Sequence, residues 1–375
     1  MDIQEEEIEK NEDEIIENED KGQVFMDKPF NPSLINIETQ TPALYNIIAR
    51  LRNNPPEIDL YPEFQRKGNL WDDGKQSRLI ESILINFPLP AFYFDGTDDD
   101  NWLVVDGLQR LSAIRNFAID KTLKLKDMEY LKNLEGDTFD SLPRAIQRKI
   151  EEAQIIAYII KAGTPLEVKY NIFRRINTGG LVLEPQEIRH ALNQGLPART
   201  VAEMAQFHEF KIATENKISS ERMLDREFIT RFIAFYLNEP AQYTPDLDSF
   251  LNASMAQINS LSIIELDKMK NDLKESMRYA HQLFGNWAFR KADLYPNKRK
   301  PINKALFEVW SVNLAKLNPS QRVRLLHNKN GLMYGFAEMM KNDDKFVRSV
   351  TSGTGGKPEV IERFSKIKNL IEQYT

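Results

Sequence analysis

The segment "WLVVDGLQRLSAIRNF", residues 102–117, combines three kinds of local structure. Its first four residues are apolar, as in a buried β-strand, and this run stops at Asp106 and Gly107. After Gly107 the apolar residues return at helical spacing and would form one face of a helix: Leu111, Ile114 and Phe117. The segment therefore predicts a strand, a tight turn and a helix, in a domain that contains both α and β structure.

The residues around this segment extend the α+β pattern over 26–195. Short strands are predicted at the start of "SLINIETQTPALYNIIARL" (33–51), after the breaker in "NNPPEIDL" (53–60) and in "AFYF" (91–94). The segment "QIIAYIIKA" (154–162) is apolar enough for the interior of a sheet. Helices are predicted near 41–52, with Thr41 as the N-cap, and in three further segments: "KQSRLIESILIN" (75–86), "LPRAIQRKIEEA" (142–153) and "PLEVKYNIFRRIN" (165–177). The helix over 75–86 would bury Leu79, Ile80, Ile83 and Leu84.

From about residue 200 onward the sequence shows no strand pattern, so we predict an all-α domain over 196–375. Helices are predicted at 198–210, 221–237, 248–260, 262–290, 301–315 and 319–341. The segment "TSGTGGKP" (351–358) is rich in glycine and is predicted to be a mobile linker before a last helix. It is not a P-loop, because Pro358 stands where a P-loop has the serine or threonine that binds magnesium.

The net charge of −6 is unevenly distributed along the chain. Residues 1–20 contain eleven acids and one lysine, a net charge of −10, so residues 21–375 together carry +4. Strongly acidic segments usually stay solvated, and residues 1–25 are therefore predicted to be a disordered acidic tail. The alternative is that this tail mimics nucleic acid and lies across a basic groove of the folded chain.

Composition excludes several classes of protein. The chain has no cysteine, which excludes disulfides, thiolate catalysis and cysteine-based zinc sites, and which fits the reducing cytoplasm. Its four histidines form no HxxxH or HExxH spacing, so a zinc or nuclease site built on histidines is not expected. No apolar run approaches the roughly 18 residues of a membrane span, and the acidic N-terminus is unlike a secretory signal.

The residues "DGLQR" (106–110) could bind an anion where the strand meets the helix. Gly107 allows a close approach, and the first N–H groups of the helix suit a phosphate. The guanidinium of Arg110 can hold two phosphate oxygens, Asp106 can hold a magnesium ion or orient a water, and Gln109 can position that water. The structural alternative is that Asp106 caps the helix and pairs with Arg110 four residues later.

Two further segments carry the same kinds of side chain. The loop "YPEFQRKGNLW" (61–71) contains Gln65 and Arg66, which repeat the order of Gln109 and Arg110. The segment "FRRINTGG" (173–180) places Asn177 and Thr178 before two glycines. Taken separately, the first could be a surface turn and the second a well-capped helix end.

In order along the chain, "PEFQR", "KQSRLIESIL", "PLP", "DGLQRL", "FRRINTGG" and "EIR" resemble the N-terminal domain of GmrSD-type restriction proteins, bacterial phage-defence proteins. The resemblance is close over residues 58–193 and looser through "RMLDREFITRFIAFYL" (222–237) and "INKALFEVW" (302–310). The resemblance implies a ParB/sulfiredoxin-like fold with a mixed sheet, and the domain of this family carries a DGQQR motif. Here Leu108 replaces the first glutamine of that motif.

The resemblance also implies that the chain binds a nucleoside triphosphate with Mg²⁺ and hydrolyses it. The phosphates would meet Arg66 and Arg110, the metal and the water would be served by Asp106 and Gln109, and the pocket would be completed by Gly107, Gln65, Asn177 and Thr178. Lys75, Ser77 and Glu81 are weaker candidates, and Glu81 could instead be a buried partner of an arginine. GmrSD proteins carry an HNH-type nuclease half, whereas no such motif follows residue 200 here, so a separate subunit would supply the nuclease.

Two other functions stay open. The basic segments "YPNKRKP" (295–301) and "NPSQRVRLLHNKN" (318–330) could make the chain a module that binds DNA or a partner protein without hydrolysis, although both could be solvated helix ends. A ParB-like nuclease would need acids grouped around a metal, and the available ones lie in turns that are expected to be exposed: Asp72, Asp73 and Asp98–Asp100.

Overall fold

The computed structural model describes residues 15–20, 32–60, 71–176, 183–294 and 299–375. They divide into two compact units. The first comprises the described residues between 30 and 192, and the second comprises Asn193–Thr375 together with residues 15–20. The first unit contains a β-sheet and helices, and the described part of the second is largely helical. The predicted α+β class, with a mixed sheet followed by a helical region, is confirmed.

The first unit is built on a five-stranded mixed sheet in the order β1-β5-β3-β4-β2. The outer pair β1–β5 and the pair β3–β4 are antiparallel, whereas β5–β3 and β4–β2 are parallel. As the apolar sequence of β5 predicts, this strand lies inside the sheet. The strands are β1 (Ile37–Gln40), β2 (Ile58–Asp59), β3 (Phe92–Gly96), β4 (Trp102–Asp106) and β5 (Ala157–Lys161).

One face of the sheet and the four helices within residues 44–152 share a hydrophobic core. The apolar faces predicted from helical spacing are buried, including Leu111, Ile114 and Phe117 in α3 and Leu79, Ile80, Ile83 and Leu84 in α2. Thr41 is not an N-cap, because α1 begins at Leu44 after Ala43. The helices are α1 (Leu44–Arg52), α2 (Asp73–Leu84), α3 (Leu108–Ala118), α4 (Arg144–Glu152), α5 (Leu166–Ile176) and α6 (Pro185–Leu192).

The second unit packs its helices around a core rich in aromatic rings, among them Phe228, Phe307 and Trp310. The long helix α11 begins with a reciprocal capping box between Ser262 and Glu265. The helices are α7 (Leu196–Ala205), α8 (His208–Ala213), α9 (Leu224–Leu237), α10 (Leu247–Gln257), α11 (Ile263–Phe284), α12 (Lys304–Ala315), α13 (Pro319–His327), α14 (Lys329–Asn342), α15 (Asp344–Thr351) and α16 (Lys357–Glu372).

Three features of this unit differ from the prediction. The helices predicted at 198–210 and 319–341 are each divided in two, and α15 was not predicted. The glycine-rich segment before α16 is not a mobile linker, since Thr354 is buried and its carbonyl accepts a hydrogen bond from Arg363 (2.8 Å). Residues 15–20 of the predicted disordered tail contact the helical unit, where Glu19 pairs with the buried Arg231.

No helix among the described residues combines the length and the apolar character that are needed to cross a membrane.

Candidate functional site

The turn between β4 and α3 requires a glycine. Gly107 has a φ of 104°, a left-handed conformation that residues with a Cβ rarely adopt. A Cβ atom at this position would lie 2.5 Å from Cδ1 of Phe92, which is shorter than any real contact. Gly107 is also the N-cap residue of α3, and among the described residues no side chain caps this end of the helix. The helix therefore begins with N–H groups that suit an anion, as the sequence predicts.

Arg110 turns inward from α3 and is only 8% exposed. Its guanidinium donates to the carbonyl oxygens of Pro90 and Ala91 (3.1 Å to Ala91) and to Oδ2 of Asp106 (2.7 Å). It also lies over the ring of Phe92, 4.4 Å from the centroid. Burial lowers the pKa of Arg110, and the charge of Asp106 opposes this shift.

This arrangement agrees with one of the two contacts that the structural interpretation of "DGLQR" requires. Asp106 and Arg110 form the ion pair at i and i+4, but Asp106 does not cap α3. In this conformation Arg110 joins the end of β4 to the segment that leads into β3, and it holds the Asp106 carboxylate in one orientation. A phosphate that bound Arg110 would have to share or replace these internal acceptors.

Gln109 connects the start of α3 to the end of the loop over 61–71. Its Oε1 accepts a hydrogen bond from the backbone N–H of Trp71 (3.2 Å). The carbonyl of the same tryptophan accepts from Gln76 Nε2 (2.9 Å), and Gln76 in turn accepts from Asn116 of α3 (2.8 Å). Trp71 is thus bound to both α2 and α3.

The other end of the same loop leaves β2, which runs parallel to β4. In this register Ile58 lies beside Trp102 and Asp59 beside Leu103, so both strands end toward the same edge of the sheet. Gln65 and Arg66 themselves lie outside the described residues. Of the described residues that flank their loop, Trp71 is bonded to Gln109, and Asp59 lies beside Leu103, three residues before Asp106.

The helix that precedes Asn177 and Thr178 is fixed to the sheet by a buried ion pair. Lys169 of α5 donates to both carboxylate oxygens of Asp95 at the end of β3 (2.9 and 3.1 Å) and also contacts Thr97. Asn177 and Thr178 follow the last residue of α5 and lie outside the described residues. Nothing in the sequence indicates the Lys169–Asp95 pair, because its partners are 74 positions apart.

Two stacked tyrosines that were not predicted lie on the sheet, and one of them, Tyr93, lies beside Asp106. Tyr93 pairs with Asp106 in the β3–β4 register and with Tyr158 in the β3–β5 register, and the two phenol rings stack with 4.9 Å between centroids. Burial raises the pKa of Tyr93, the nearby Tyr158 and Asp106 raise it further, and Arg110 opposes them. A polar-tipped aromatic residue inside each of two apolar strands was the signal that could have revealed them.

The weaker candidates have structural contacts. Ser77 donates to the carbonyl of Asp73 (2.7 Å) and accepts from the N–H of Lys126 (3.1 Å), and the N–H of Lys75 donates to Asp72 (2.8 Å). Glu81 is buried, and its carboxylate accepts three backbone N–H groups, those of Glu129, Tyr130 and Leu131 (3.0, 2.7 and 2.6 Å). Its charge also interacts with that of Arg78, although the described contacts include no hydrogen bond between the two.

Acids that could have formed a metal cluster are dispersed among other contacts. Asp72 caps α2, Asp99 pairs with Lys161 (2.9 Å), and Asp98 accepts from a neighbouring N–H (3.0 Å). Within the described ranges there is no group of three or more His, Cys, Asp or Glu residues able to hold a metal ion. Asp106 offers one carboxylate, which suits Mg²⁺ only where phosphates and waters supply most of the ligands.

A comparison with protein families places this site in a known domain. The family model described as the N-terminal domain of the GmrSD restriction endonuclease matches residues 44–194. This segment is similar to a GmrSD-type N-terminal domain. The resemblance inferred from the ordered motifs is therefore confirmed for these residues, and it indicates a restriction-related protein. The comparison with curated proteins and the comparison with solved structures find no match.

The GmrSD-type domain begins at the start of α1 and ends just after α6. It contains all the predicted site residues: Gln65, Arg66, Asp106, Gly107, Gln109, Arg110, Asn177 and Thr178. Strand β1 and the helices from α7 onward lie outside it.

Proposed function

We propose that this chain is a bacterial phage-defence protein, the sensor or regulatory subunit of a restriction system, and that its GmrSD-type domain binds and hydrolyses a nucleoside triphosphate with Mg²⁺. The observation that carries the proposal is the hydrogen bond between Trp71 and Gln109. It brings the end of the loop that contains Gln65 and Arg66 to the helix that contains Arg110. In this proposal the two segments rich in phosphate-binding side chains meet at this one helix N-terminus.

In this proposal the triphosphate lies against the N-terminus of α3, where Gly107 has no side chain to obstruct it. Arg66 supplies the guanidinium that holds phosphate oxygens, and the pocket is completed by Gln65, Asn177 and Thr178. The contacts of Arg110 support a second role beside phosphate binding, because its guanidinium orients Asp106 in the observed conformation. The Oε1 atom of Gln109 accepts a hydrogen bond from the N–H of Trp71. In this proposal Gln109 also positions the attacking water, so the place of that water depends on the place of the loop that ends at Trp71.

Asp106 is the residue that would hold Mg²⁺. The ion would neutralise phosphate charge and polarise the phosphoryl group. The pair with Arg110 keeps the carboxylate at the strand end, with its side chain 21% exposed and therefore accessible. Tyr93 and Tyr158 form an aromatic surface beside it, on which a nucleobase could stack.

The test compares Asp106→Asn with Asp120→Asn. Asp120 is the matched control, because it pairs with Arg115 of α3, away from the turn between β4 and α3. We expect the unmodified chain to be stabilised by at least one nucleoside triphosphate with Mg²⁺ and to release phosphate from it; at a ligand concentration of 100 Kd the stabilisation is about 2.7 kcal/mol. Asp106→Asn should lose Mg²⁺-dependent turnover by about 10²-fold or more, whereas Asp120→Asn should keep it.

The absence of any thermal shift with all four ribonucleotides and all four deoxyribonucleotides would reject nucleotide binding. A shift without phosphate release would reject hydrolysis and leave a nucleotide-binding sensor. Equal turnover by the two asparagine variants would remove Asp106 from the mechanism.

The structure gives less support to the two alternatives. In the basic segments proposed for DNA, Arg299 pairs with Glu215 (2.7 Å), and Arg322 is buried and donates to the carbonyl of Ala315 (3.2 Å). A ParB-like nuclease would need a metal cluster, and the described residues contain none. In this proposal a separate nuclease subunit carries out restriction, and the nucleotide state controls its recruitment.

A further inference from the structure

The N-terminal residues Ile15–Asp20, which we call the strap, lie along the helical unit as an extended segment fixed at both ends. Near its start, the N–H of Glu17 donates to the carbonyl of Ile302 (2.8 Å), and the N–H of Ile302 donates to the carbonyl of Ile15 (3.0 Å). At its end, the N–H of Thr354 donates to the carbonyl of Asp20 (3.0 Å). These are the contacts of a β-bridge, in which a peptide backbone is recognised by another backbone.

Between the two bridges, the strap directs two carboxylates into the helical unit. Glu17 and Glu19 are two residues apart, the spacing at which side chains of an extended chain point the same way. Glu17 pairs with Lys291 and accepts a hydrogen bond from Asn303 (3.1 Å). Ile16 packs against the hydrophobic core, whereas Asn18 and Asp20 are exposed.

Glu19 occupies a site that is built for a carboxylate. Both of its oxygens accept from the guanidinium of Arg231, and Oε1 also accepts from the hydroxyl of Thr354 (2.9 Å). Arg231 is completely buried, and two other carboxylates, those of Glu227 and Glu308, contact it at 3.2 and 3.1 Å. A bidentate contact between a buried arginine and a carboxylate is among the strongest polar contacts in proteins.

Among the ion pairs of the described residues, the charges linked to Arg231 balance when Glu19 is included. The cluster contains three cations (Arg231, Lys304 and Arg363) and two acids of the helical unit itself (Glu227 and Glu308). Glu19 provides the third negative charge. Burial alone would lower the pKa of Arg231, but the carboxylates of Glu19, Glu227 and Glu308 raise it well above its ordinary value. Without the strap, the cluster would keep one uncompensated positive charge.

We propose that the strap groove, lined by Arg231, Lys291, Ile302, Asn303, Ser352 and Thr354, is a recognition site for an extended acidic peptide, and that the strap fills it as an internal ligand. A partner protein that presents two carboxylates with one residue between them would displace the strap and free the N-terminal segment. The two backbone bridges favour a peptide over nucleic acid, since a phosphodiester chain offers neither the N–H nor the carbonyl that they use. The inference is independent of the nucleotide site.

The test supplies the strap in trans. A fluorescein-labelled peptide with the sequence of residues 11–20, "NEDEIIENED", is titrated into two full-length chains, the unmodified one and Glu17→Gln/Glu19→Gln. In the unmodified chain the strap competes at an effective concentration in the millimolar range, so the peptide should bind weakly. In the double variant the internal strap has lost both charges, and the peptide should bind at least tenfold more tightly by fluorescence anisotropy.

Two controls test the chemistry of the groove. A peptide with glutamine at both positions should bind the double variant at least tenfold more weakly than the acidic peptide. Thr354→Val, combined with the double variant, removes one hydroxyl donor to Glu19 and should weaken the acidic peptide severalfold while the circular dichroism spectrum stays unchanged.

Equal affinity of both peptides for both chains would overturn the proposal, as would the absence of binding by a folded double variant. A ten-nucleotide single strand that displaces the labelled peptide better than unlabelled peptide would also overturn it, in favour of a nucleic-acid ligand. If the double variant does not fold, the proposal is tested by hydrogen exchange on the unmodified chain. The Glu17 amide must then exchange at least tenfold more slowly than in the free peptide, and excess peptide must reduce that protection.

Discussion

Replacement of Arg110 by alanine separates a structural role from a role in phosphate binding. The guanidinium donates to two backbone carbonyls and to Asp106, and it covers the ring of Phe92. Its loss leaves these acceptors without their donor and leaves a cavity beside Phe92. Breaking a fully buried ion pair costs about 3–5 kcal/mol, but the Asp106 side chain is 21% exposed and water can solvate it. We therefore expect Arg110→Ala to lower the free energy of unfolding of the GmrSD-type domain by about 2–4 kcal/mol.

Arg115→Ala is the matched control. Arg115 lies on the same helix and pairs with Asp120 at 3.1 Å, but both side chains are more exposed, at 24% and 34%. Exposed pairs contribute about 1 kcal/mol or less, so this variant should be almost as stable as the unmodified chain.

The assay is hydrogen exchange followed by mass spectrometry through a urea series. Peptides that cover β3 and β4 report the domain of interest, and peptides from α12 report the helical unit as an internal reference. A loss below about 1 kcal/mol for Arg110→Ala, equal to that of Arg115→Ala, would refute the anchoring role derived from the contacts. A loss of nucleotide binding in such a stable variant would then be attributed to a direct phosphate contact.

Three further predictions follow from buried groups. Gly107→Ala should destabilise the domain by about 2–4 kcal/mol in urea denaturation, because the φ of 104° and the 2.5 Å approach to Phe92 both oppose a methyl group; an unchanged midpoint would contradict this. Burial alone would raise the pKa of Glu81, but three backbone N–H groups lower it below 4.5. The ionised carboxylate therefore stabilises the fold fully above pH 4.5, and this stabilisation is lost as the pH falls through the lower pKa of the folded state. Glu81→Gln should be less stable at neutral pH, and its thermal melts between about pH 2 and 7 should depend less on acid. Glu308→Gln should lower the free energy of unfolding by about 3–5 kcal/mol, because the charges of Arg231 and Arg363 would lose a buried carboxylate. Glu239→Gln, in an exposed pair with Lys316, should lower it by about 1 kcal/mol or less. Equal losses in the two variants would contradict the role of the buried network.

The sequence predicted those parts of the fold that depend on local periodicity. The apolar residues of α2 and α3 are buried as their spacing requires, and the interior position of β5 follows from its apolar composition. Helix ends were predicted less well, because they depend on single residues. Thr41 has the side chain of an N-cap, but α1 begins three residues later, after Ala43.

The contacts of the site could be predicted only where they are local. Asp106 and Arg110 are four residues apart, and their pairing was one of the two interpretations of the sequence. The stack of Tyr93 on Tyr158 depends on strand order, which the sequence does not specify before β3 and β5 are placed side by side. For Gln65, Arg66, Asn177 and Thr178, which lie outside the described residues, the convergence of the segments stays a prediction.

The acidic N-terminal segment shows why charge composition alone misjudged part of the chain. A count of acids predicts solvation, because it treats each carboxylate as if water were its only partner. Glu19 has a partner 212 residues away, and the bond lies in the buried cluster around Arg231. Salt screens exposed pairs much more than buried ones, so an increase in ionic strength should weaken the half-exposed Glu17–Lys291 contact before it affects Glu19. In our proposal, a competing carboxylate releases the strap by replacing Glu19 on Arg231, and the need for that carboxylate makes the groove selective.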